Sequence, residues 1–89
     1  MEVDYTLEAQ EDIRSWKNLG DQKILNKISS LVYAIQNSPF TGIGRPKPLK
    51  HNLSGLWSRR INREHRIIYE VCDENIIIHS LRGHYKEGG

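Results

Sequence analysis

The sequence contains a single cysteine, no long apolar run, no internal repeat and no low-complexity tract. With Cys72 alone, the chain can form neither an internal disulfide nor a multi-thiolate metal site, so we expect a core held by packing in a reducing cytoplasm. No segment approaches the roughly 18–20 consecutive apolar residues that cross a bilayer. The first residues lack the basic and apolar regions of a signal peptide. We therefore predict a cytoplasmic protein with no membrane partner.

The length and composition predict one small folded domain. A chain of 89 residues has room for a single hydrophobic core. Its hydrophobic fraction of 37% and charged fraction of 27% are typical of a folded chain rather than a disordered one. We predict a single domain over residues 1–89, in which residues 86–89 form a frayed tail.

Positive charge is concentrated in the middle third of the chain. Residues 39–70 carry seven basic and two acidic groups, although the net charge of the whole chain is only +2. The seven cations are Arg45, Lys47, Lys50, Arg59, Arg60, Arg63 and Arg66. Cations near an aromatic such as Trp57 are typical of proteins that bind polyanions, because phosphates attract cations and bases stack on flat rings. A solvated surface of lysine and arginine is the alternative interpretation.

The first half of the chain has the pattern of one strand and two helices. Period-two alternation over residues 1–5 predicts a half-buried strand. An apolar stripe predicts a helix over residues 7–19, with Thr6 as its N-cap and Gly20 as its C-terminal stop. A second stripe, the strongest in the sequence, predicts a helix that Asp21 caps and that runs to about residue 37. The two helices should form a hairpin, because almost no linker separates them.

The second half of the chain has a β pattern. Residues 38–48 contain all three prolines and predict a connecting loop. Alternation over residues 57–61 and 66–71 predicts a hairpin, and the apolar run 76–81 predicts a central strand covered on both faces. The order β-α-α-β-β-β predicts an α+β fold, in which a mostly antiparallel twisted sheet carries the helical hairpin on one face.

Strand parity predicts which side chains lie on the uncovered face of this sheet. Five hairpin residues share the helix-facing parity: Trp57, Ile61, Ile67, Tyr69 and Val71. Arg60 and Arg66 should therefore lie on the other face. The parity of the last strand is ambiguous, so the pattern does not fix the position of His84. If His84 faces the same way, an imidazole and two guanidiniums meet on an exposed surface.

That set of groups is suited to cleavage of RNA. Arginine neutralises the charge that develops on a phosphate, and histidine transfers protons near neutral pH. RNA supplies its own nucleophile, the 2′-hydroxyl, so neither a metal nor a cofactor is required. Tyr85 could stack on a base or donate to a phosphate oxygen. The alternative is that His84 and Tyr85 are an ordinary surface pair.

Four segments resemble the YoeB/Txe toxins of the RelE superfamily. The first is Ser38-Pro-Phe-Thr-Gly, and the second is the continuous run Lys47-Pro-Leu-Lys-His-Asn-Leu-Ser-Gly-Leu-Trp-Ser-Arg-Arg-Ile. The third is Glu64-His-Arg-Ile-Ile-Tyr, and the last is Gly83-His-Tyr near the end of the chain. The resemblance implies a compact RNase-like fold and the toxin of a bacterial type II toxin-antitoxin pair, which cleaves mRNA on the 70S ribosome. It also implies a YefM-like antitoxin, a homodimer, and recognition of operator DNA together with the antitoxin.

The resemblance also assigns roles to individual residues. His84 matches the general acid that protonates the leaving 5′-oxygen, Arg66 matches the arginine that stabilises the scissile phosphate, and Tyr85 matches the tyrosine that positions the RNA. Three further residues match basic positions of the RNA-binding face: Lys50, His51 and Arg60.

Lys47 departs from the family pattern, which has Pro-Glu-Pro where this chain has Pro46-Lys47-Pro48. The family's glutamate is the proposed general base for the 2′-hydroxyl, whereas a lysine must lose its proton to act as a base. Three hypotheses follow: Lys47 stabilises the phosphate instead, His51 takes the base role, or the chain is an attenuated toxin. The alternative function is a homologue that binds RNA or the ribosome without cleavage and represses an operator with its antitoxin.

Overall fold

A computed structural model describes residues 1–83 of the chain. Its elements are β1 (Glu2–Tyr5), α1 (Leu7–Leu19), α2 (Gln22–Asn37), β2 (Lys47–Pro48), a 3₁₀ turn (His51–Leu53), β3 (Leu56–Arg60), β4 (Arg66–Val71) and β5 (Asn75–Ser80). Neither helix in this part of the chain is long and apolar enough to span a membrane.

The boundaries of both helices are set by the residues that the sequence indicated. The Thr6 hydroxyl accepts a hydrogen bond from the Ala9 N–H, and the Asp21 carboxylate accepts one from the Ile24 N–H. Gly20 ends α1 in the left-handed conformation, with a φ of 68°. These local signals confirm the predicted helical hairpin.

The five strands form one sheet in the order β1-β5-β4-β3-β2. β1 is parallel to β5 and the other neighbours are antiparallel, which confirms the predicted α+β class. Both helices pack on one face, which we call the covered face, and the opposite one is the open face. The core on the covered face contains Ala9, Trp16, Ile28, Leu31, Ile35, Ile61, Ile67, Tyr69, Ile76, Ile78 and Leu81.

A bulge in β5 explains why its parity could not be read from the sequence. Tyr69 pairs with Ile78, but the preceding Ile68 pairs with Ser80, so the register shifts by one residue. Ile78 and Leu81 are consequently both fully buried, although side chains three residues apart lie on opposite faces of a regular strand. The prediction that both faces of this strand are covered is wrong for His79, which is only partly buried.

Two features of the open face differ from the sequence prediction. Residues 38–48 were expected to be a loop throughout, but Lys47 pairs with Ser58 and makes β2 an edge strand. The open face is also not wholly bare, because Leu49 is 4% exposed and Ile68 is 9% exposed. These two side chains line a groove of about 600 Å³ on that face, together with residues that include Leu53, His79, Ser80 and Gly83.

Candidate nucleic-acid interface

Three predicted site residues lie on neighbouring strands of the open face. Arg60 of β3 is directly opposite Arg66 of β4, and residues paired in this way present their side chains on the same face. Lys47 is opposite Ser58, which lies two residues before Arg60 and therefore shares its face. The structure thus brings Lys47, Arg60 and Arg66 onto one surface, as strand parity predicted for the two arginines.

The last described residue, Gly83, lies beside Arg66. The Arg66 N–H donates to the Gly83 carbonyl oxygen at 3.2 Å. The Gly83 N–H donates to Nδ1 of the adjacent His65 at 2.6 Å. The chain after β5 therefore runs along the Arg66 end of β4. The predicted site residues His84 and Tyr85 lie outside the described residues.

Lys50 and His51 are both exposed and follow the buried Leu49. The Leu49 N–H donates to the Leu56 carbonyl oxygen at 2.9 Å, which extends the contact between β2 and β3. His51 begins the 3₁₀ turn with a φ of 58°, a left-handed conformation that is uncommon outside glycine. Leu49 thus fixes the backbone against β3 directly before this exposed basic pair.

A second group of cations lines a groove of about 440 Å³ at the end of β3. The groove is lined by Lys27, Gly44, Arg45, Arg60, Ile61, Asn62 and Arg63. Four of these seven residues are basic and none is acidic. Within residues 1–83, Nε of Arg60 is buried without a hydrogen-bond partner. Arg60 therefore belongs both to this basic groove and to the open face, and it connects the two.

Arg59 has a structural role that the sequence did not reveal. Composition grouped it with the other cations, but it is fully buried on the covered face. Its Nε donates to the Tyr69 hydroxyl at 3.2 Å and its guanidinium lies 5.8 Å from the Tyr69 ring centroid. Its terminal nitrogens donate to three backbone carbonyls, those of Ser38, Thr41 and Ile43. A buried charge is tolerated because each of its nitrogens has an acceptor.

Tyr69 completes this anchor for the segment after α2. Burial raises the pKa of the Tyr69 hydroxyl, although the hydrogen bond and charge of Arg59 oppose the shift. The neutral hydroxyl donates to the Pro39 carbonyl oxygen at 2.7 Å. Further along, the Gly44 carbonyl oxygen accepts from the Arg60 N–H at 2.6 Å. The buried pair therefore holds the segment that leads to β2.

Trp57 does not lie with the cations of the open face. It is opposite Tyr69 in the hairpin and packs against the core, as its parity predicted. Its ring also contacts Phe40, with the ring centroids 4.9 Å apart. The association of this aromatic with polyanion binding, which composition suggested, is therefore not supported by its position.

Solved structures place this fold among small bacterial toxins. A YoeB/ParE toxin from Agrobacterium tumefaciens aligns with a TM-score of 0.91 at 36% identity, covering 96% of this chain and all of that one. A YoeB from Staphylococcus aureus, solved as a dimer, aligns with a TM-score of 0.87 at 40% identity, covering 96% of this chain and 98% of that one. YafQ of Escherichia coli, at 17% identity and a TM-score of 0.77, shares the fold.

Sequence relatives identify the particular family. The family model described as "YoeB-like toxin of bacterial type II toxin-antitoxin system" matches residues 5–85. Toxin YoeB of Escherichia coli is 44% identical over 85 residues, which are 96% of this chain and all of that protein. Toxin YoeB of Synechocystis is 52% identical over 71 residues, which are 80% of this chain and 83% of that protein. The chain belongs to the YoeB-like toxin family, as the sequence resemblance predicted.

Proposed function

We propose that the chain is a ribosome-dependent endoribonuclease that cleaves mRNA in the A site and inhibits translation. The 2′-hydroxyl of the RNA attacks the adjacent phosphate, and no metal takes part. The observation that best supports this proposal is the pairing of Arg60 with Arg66 on the open face, with Gly83 hydrogen-bonded to the backbone of Arg66. Two neighbouring guanidiniums can bind a phosphate through several hydrogen bonds and stabilise the charge that develops in the transition state.

Three residues perform the chemistry in this proposal. Arg66 stabilises the pentavalent phosphate. His84, which directly follows Gly83 in the sequence, protonates the departing 5′-oxygen. Tyr85 positions the RNA.

The RNA backbone is bound by three basic residues, Lys50, His51 and Arg60. The basic groove at the end of β3 extends the cationic surface beyond them.

Lys47 acts in this proposal as a cation for the phosphate rather than as a base. It is exposed, lies at the edge of the sheet and shares the open face with the arginines. Removal of the 2′-hydroxyl proton then requires another group. His51 is the candidate, because it lies a few residues after Lys47 in the sequence. The expected consequence is slower cleavage than in a toxin with glutamate at this position.

The structures of relatives support two of the proposed partners, the antitoxin and a second copy of the chain. A YoeB-YefM complex from Staphylococcus aureus was solved as a heterotetramer, and YoeB of the same species as a dimer. We extend to this chain a YefM-like antitoxin, a homodimer, and operator DNA as the target of the toxin-antitoxin complex. The substrate complex is the 70S ribosome with bound mRNA.

A second function is favoured by the residue at position 47. With an ammonium where the family has a carboxylate, the chain could bind RNA or the ribosome without cleaving and act with its antitoxin as a repressor. The cations of the open face would then still bind RNA, but the chain would not cleave it.

Primer extension on ribosomes programmed with mRNA separates the two functions. We expect A-site cleavage by the wild-type chain, loss of cleavage in His84→Ala, and faster cleavage in Lys47→Glu. No cleavage by the wild-type chain, with cleavage restored in Lys47→Glu, would rule out the active enzyme and favour the repressor. Lys47→Ala should slow cleavage, and an unchanged rate would show that Lys47 is neither the base nor the cation for the phosphate. Loss of cleavage in His51→Gln would assign the role of base to His51.

A further inference from the structure

Side chains from two other elements hold the chain after β5. Trp16 of α1 is buried and donates from Nε1 to the Leu81 carbonyl oxygen at 2.9 Å. Asp12, one helical turn earlier, accepts from the Leu81 N–H at 2.9 Å. The His65 ring packs edge-on against Trp16, with the centroids 4.8 Å apart, and the Arg82 guanidinium lies 5.3 Å from the Trp16 ring centroid. Contacts from α1 and from the turn before β4 thus hold the chain after β5 in place.

His65 contacts Gly83, the last described residue. Its side chain is only 16% exposed, and its Nδ1 accepts the hydrogen bond from the Gly83 N–H at 2.6 Å. Because Gly83 donates, Nδ1 carries no proton and the neutral ring has its hydrogen on Nε2. Nε2 lies 3.9 Å from the Glu64 carboxylate. Together with the Arg66 N–H, which donates to the Gly83 carbonyl oxygen, His65 satisfies both polar groups of Gly83.

The backbone of His65 is fixed without help from the imidazole. Its N–H donates to the Asn62 side-chain oxygen at 2.7 Å. Its carbonyl oxygen accepts from the N–H groups of Ile61 and Asn62 at 2.9 and 3.2 Å. Loss of the ring should therefore leave this turn intact. What the ring itself contributes is its contact with Trp16 and the acceptor for Gly83.

Gly83 is a residue that requires such an anchor. Its φ of 84° is in the region that glycine reaches without strain, and glycine has more backbone freedom than any other residue. A Cβ at this position would meet no neighbouring atom within 4 Å, so side-chain packing does not constrain it. The hydrogen bonds to His65 and Arg66 are what hold it.

We propose that His65 is a positioning residue: its Nδ1 fixes Gly83, the residue that directly precedes His84 in the sequence, beside the backbone of Arg66. The role of His84 rests on the proposed function, whereas the anchoring of Gly83 does not. Small errors in the placement of a catalytic group reduce rates strongly, and about 1 Å can cost roughly 100-fold. A single acceptor at the base of the terminal segment is therefore enough to affect the reaction.

A pair of substitutions isolates the acceptor from the rest of the side chain. Asparagine places Oδ1 where histidine has Nδ1, while leucine has the same branched shape with no acceptor. Both variants lose the ring contact with Trp16 equally. His65→Asn and His65→Leu therefore differ mainly in whether the Gly83 N–H has a partner.

Two measurements on the full chain test the proposal. We expect the Gly83 amide to exchange with solvent about tenfold faster in His65→Leu than in the wild-type chain, and nearly at the wild-type rate in His65→Asn. We expect the single-turnover rate of ribosomal mRNA cleavage to fall about tenfold or more in His65→Leu, with little change in ribosome affinity, and to recover in His65→Asn.

Different results would reject different parts of the argument. Equal Gly83 exchange in the leucine and asparagine variants would overturn the anchor. Faster exchange in His65→Leu without any loss of cleavage would overturn the positioning role. A wild-type chain that exchanges as expected but cleaves no RNA would refute the proposed function, while the anchor at Gly83 would stand.

Discussion

Two adjacent arginines on β3 show how differently the two faces of the sheet use the same side chain. Arg59 is fully buried on the covered face, where it donates to Tyr69 and to three backbone carbonyls. Arg60 lies on the open face opposite Arg66 and lines the basic groove. Judged by composition alone, both arginines contribute positive charge to a surface that binds a polyanion. Only the alternation of the strand separates the arginine that holds the fold from the one offered to a ligand.

The two faces are nevertheless connected. Arg59 fixes three carbonyls within residues 38–43, and the chain then reaches Gly44, whose carbonyl oxygen accepts from the Arg60 N–H. From there it continues into β2, which carries Lys47 on the open face. The buried cation thus supports the placement of the exposed cations. The difference between the faces can be tested by removing one residue at a time.

The largest expected effect is that of Arg59→Ala on stability. The substitution would remove the donor to the Tyr69 hydroxyl and to three part-buried backbone carbonyls and would leave a cavity where a fully buried side chain stood, so the free energy of unfolding should fall by about 3–5 kcal/mol. Arg60→Ala should lower it by less than about 1 kcal/mol. Urea unfolding of the two variants measures this difference, and equal losses would show that the faces are not distinct in this way.

A smaller effect is expected from Gly44→Ala. A Cβ there would lie 2.8 Å from Leu31 Cδ2, in addition to the strain of a φ of 83°. We expect a loss of about 2–4 kcal/mol in the free energy of unfolding. Gly55→Ala is the matched control, because Gly55 also has a positive φ of 98° but no atom within 4 Å of its Cβ position. Similar losses in both variants would mean that close packing at Gly44 is unimportant.

The sequence predicted those elements whose signals are local. Thr6, Gly20 and Asp21 are caps that act on the adjacent helix, so α1 and α2 matched within a residue or two. Parity likewise placed Arg60 and Arg66, because alternation within a hairpin needs no distant contact.

The features that were missed depend on contacts between distant segments. β2 is two residues long and contains a proline, so it exists only because β3 supplies the pairing partner. Arg59 is tolerated in the core because three carbonyls from the segment after α2 turn towards it, and those partners are 16–21 residues away in the sequence. An arginine at a core parity position was the one available signal for that role.

The smallest expected effect concerns the salt dependence of RNA binding. Arg63 is exposed and lines the basic groove, so Arg63→Ala should reduce the slope of log affinity against log salt by about 0.7 for a single-stranded RNA. Lys17→Ala removes the same charge from the exposed surface of α1, on the covered side, and should leave the slope unchanged. Equal slopes for Arg63→Ala and the wild-type chain would remove the groove from the RNA-binding surface.

The most direct test of the open face as the catalytic surface is the rate of A-site mRNA cleavage on the ribosome by Arg66→Ala. Loss of a guanidinium that stabilises the transition state should reduce this rate by about 100-fold or more, with the fold retained. Lys17→Ala, on the covered side, should cleave at the wild-type rate. If instead Arg66→Ala cleaved as fast as the wild-type chain, the open face could not be the surface that carries out the reaction.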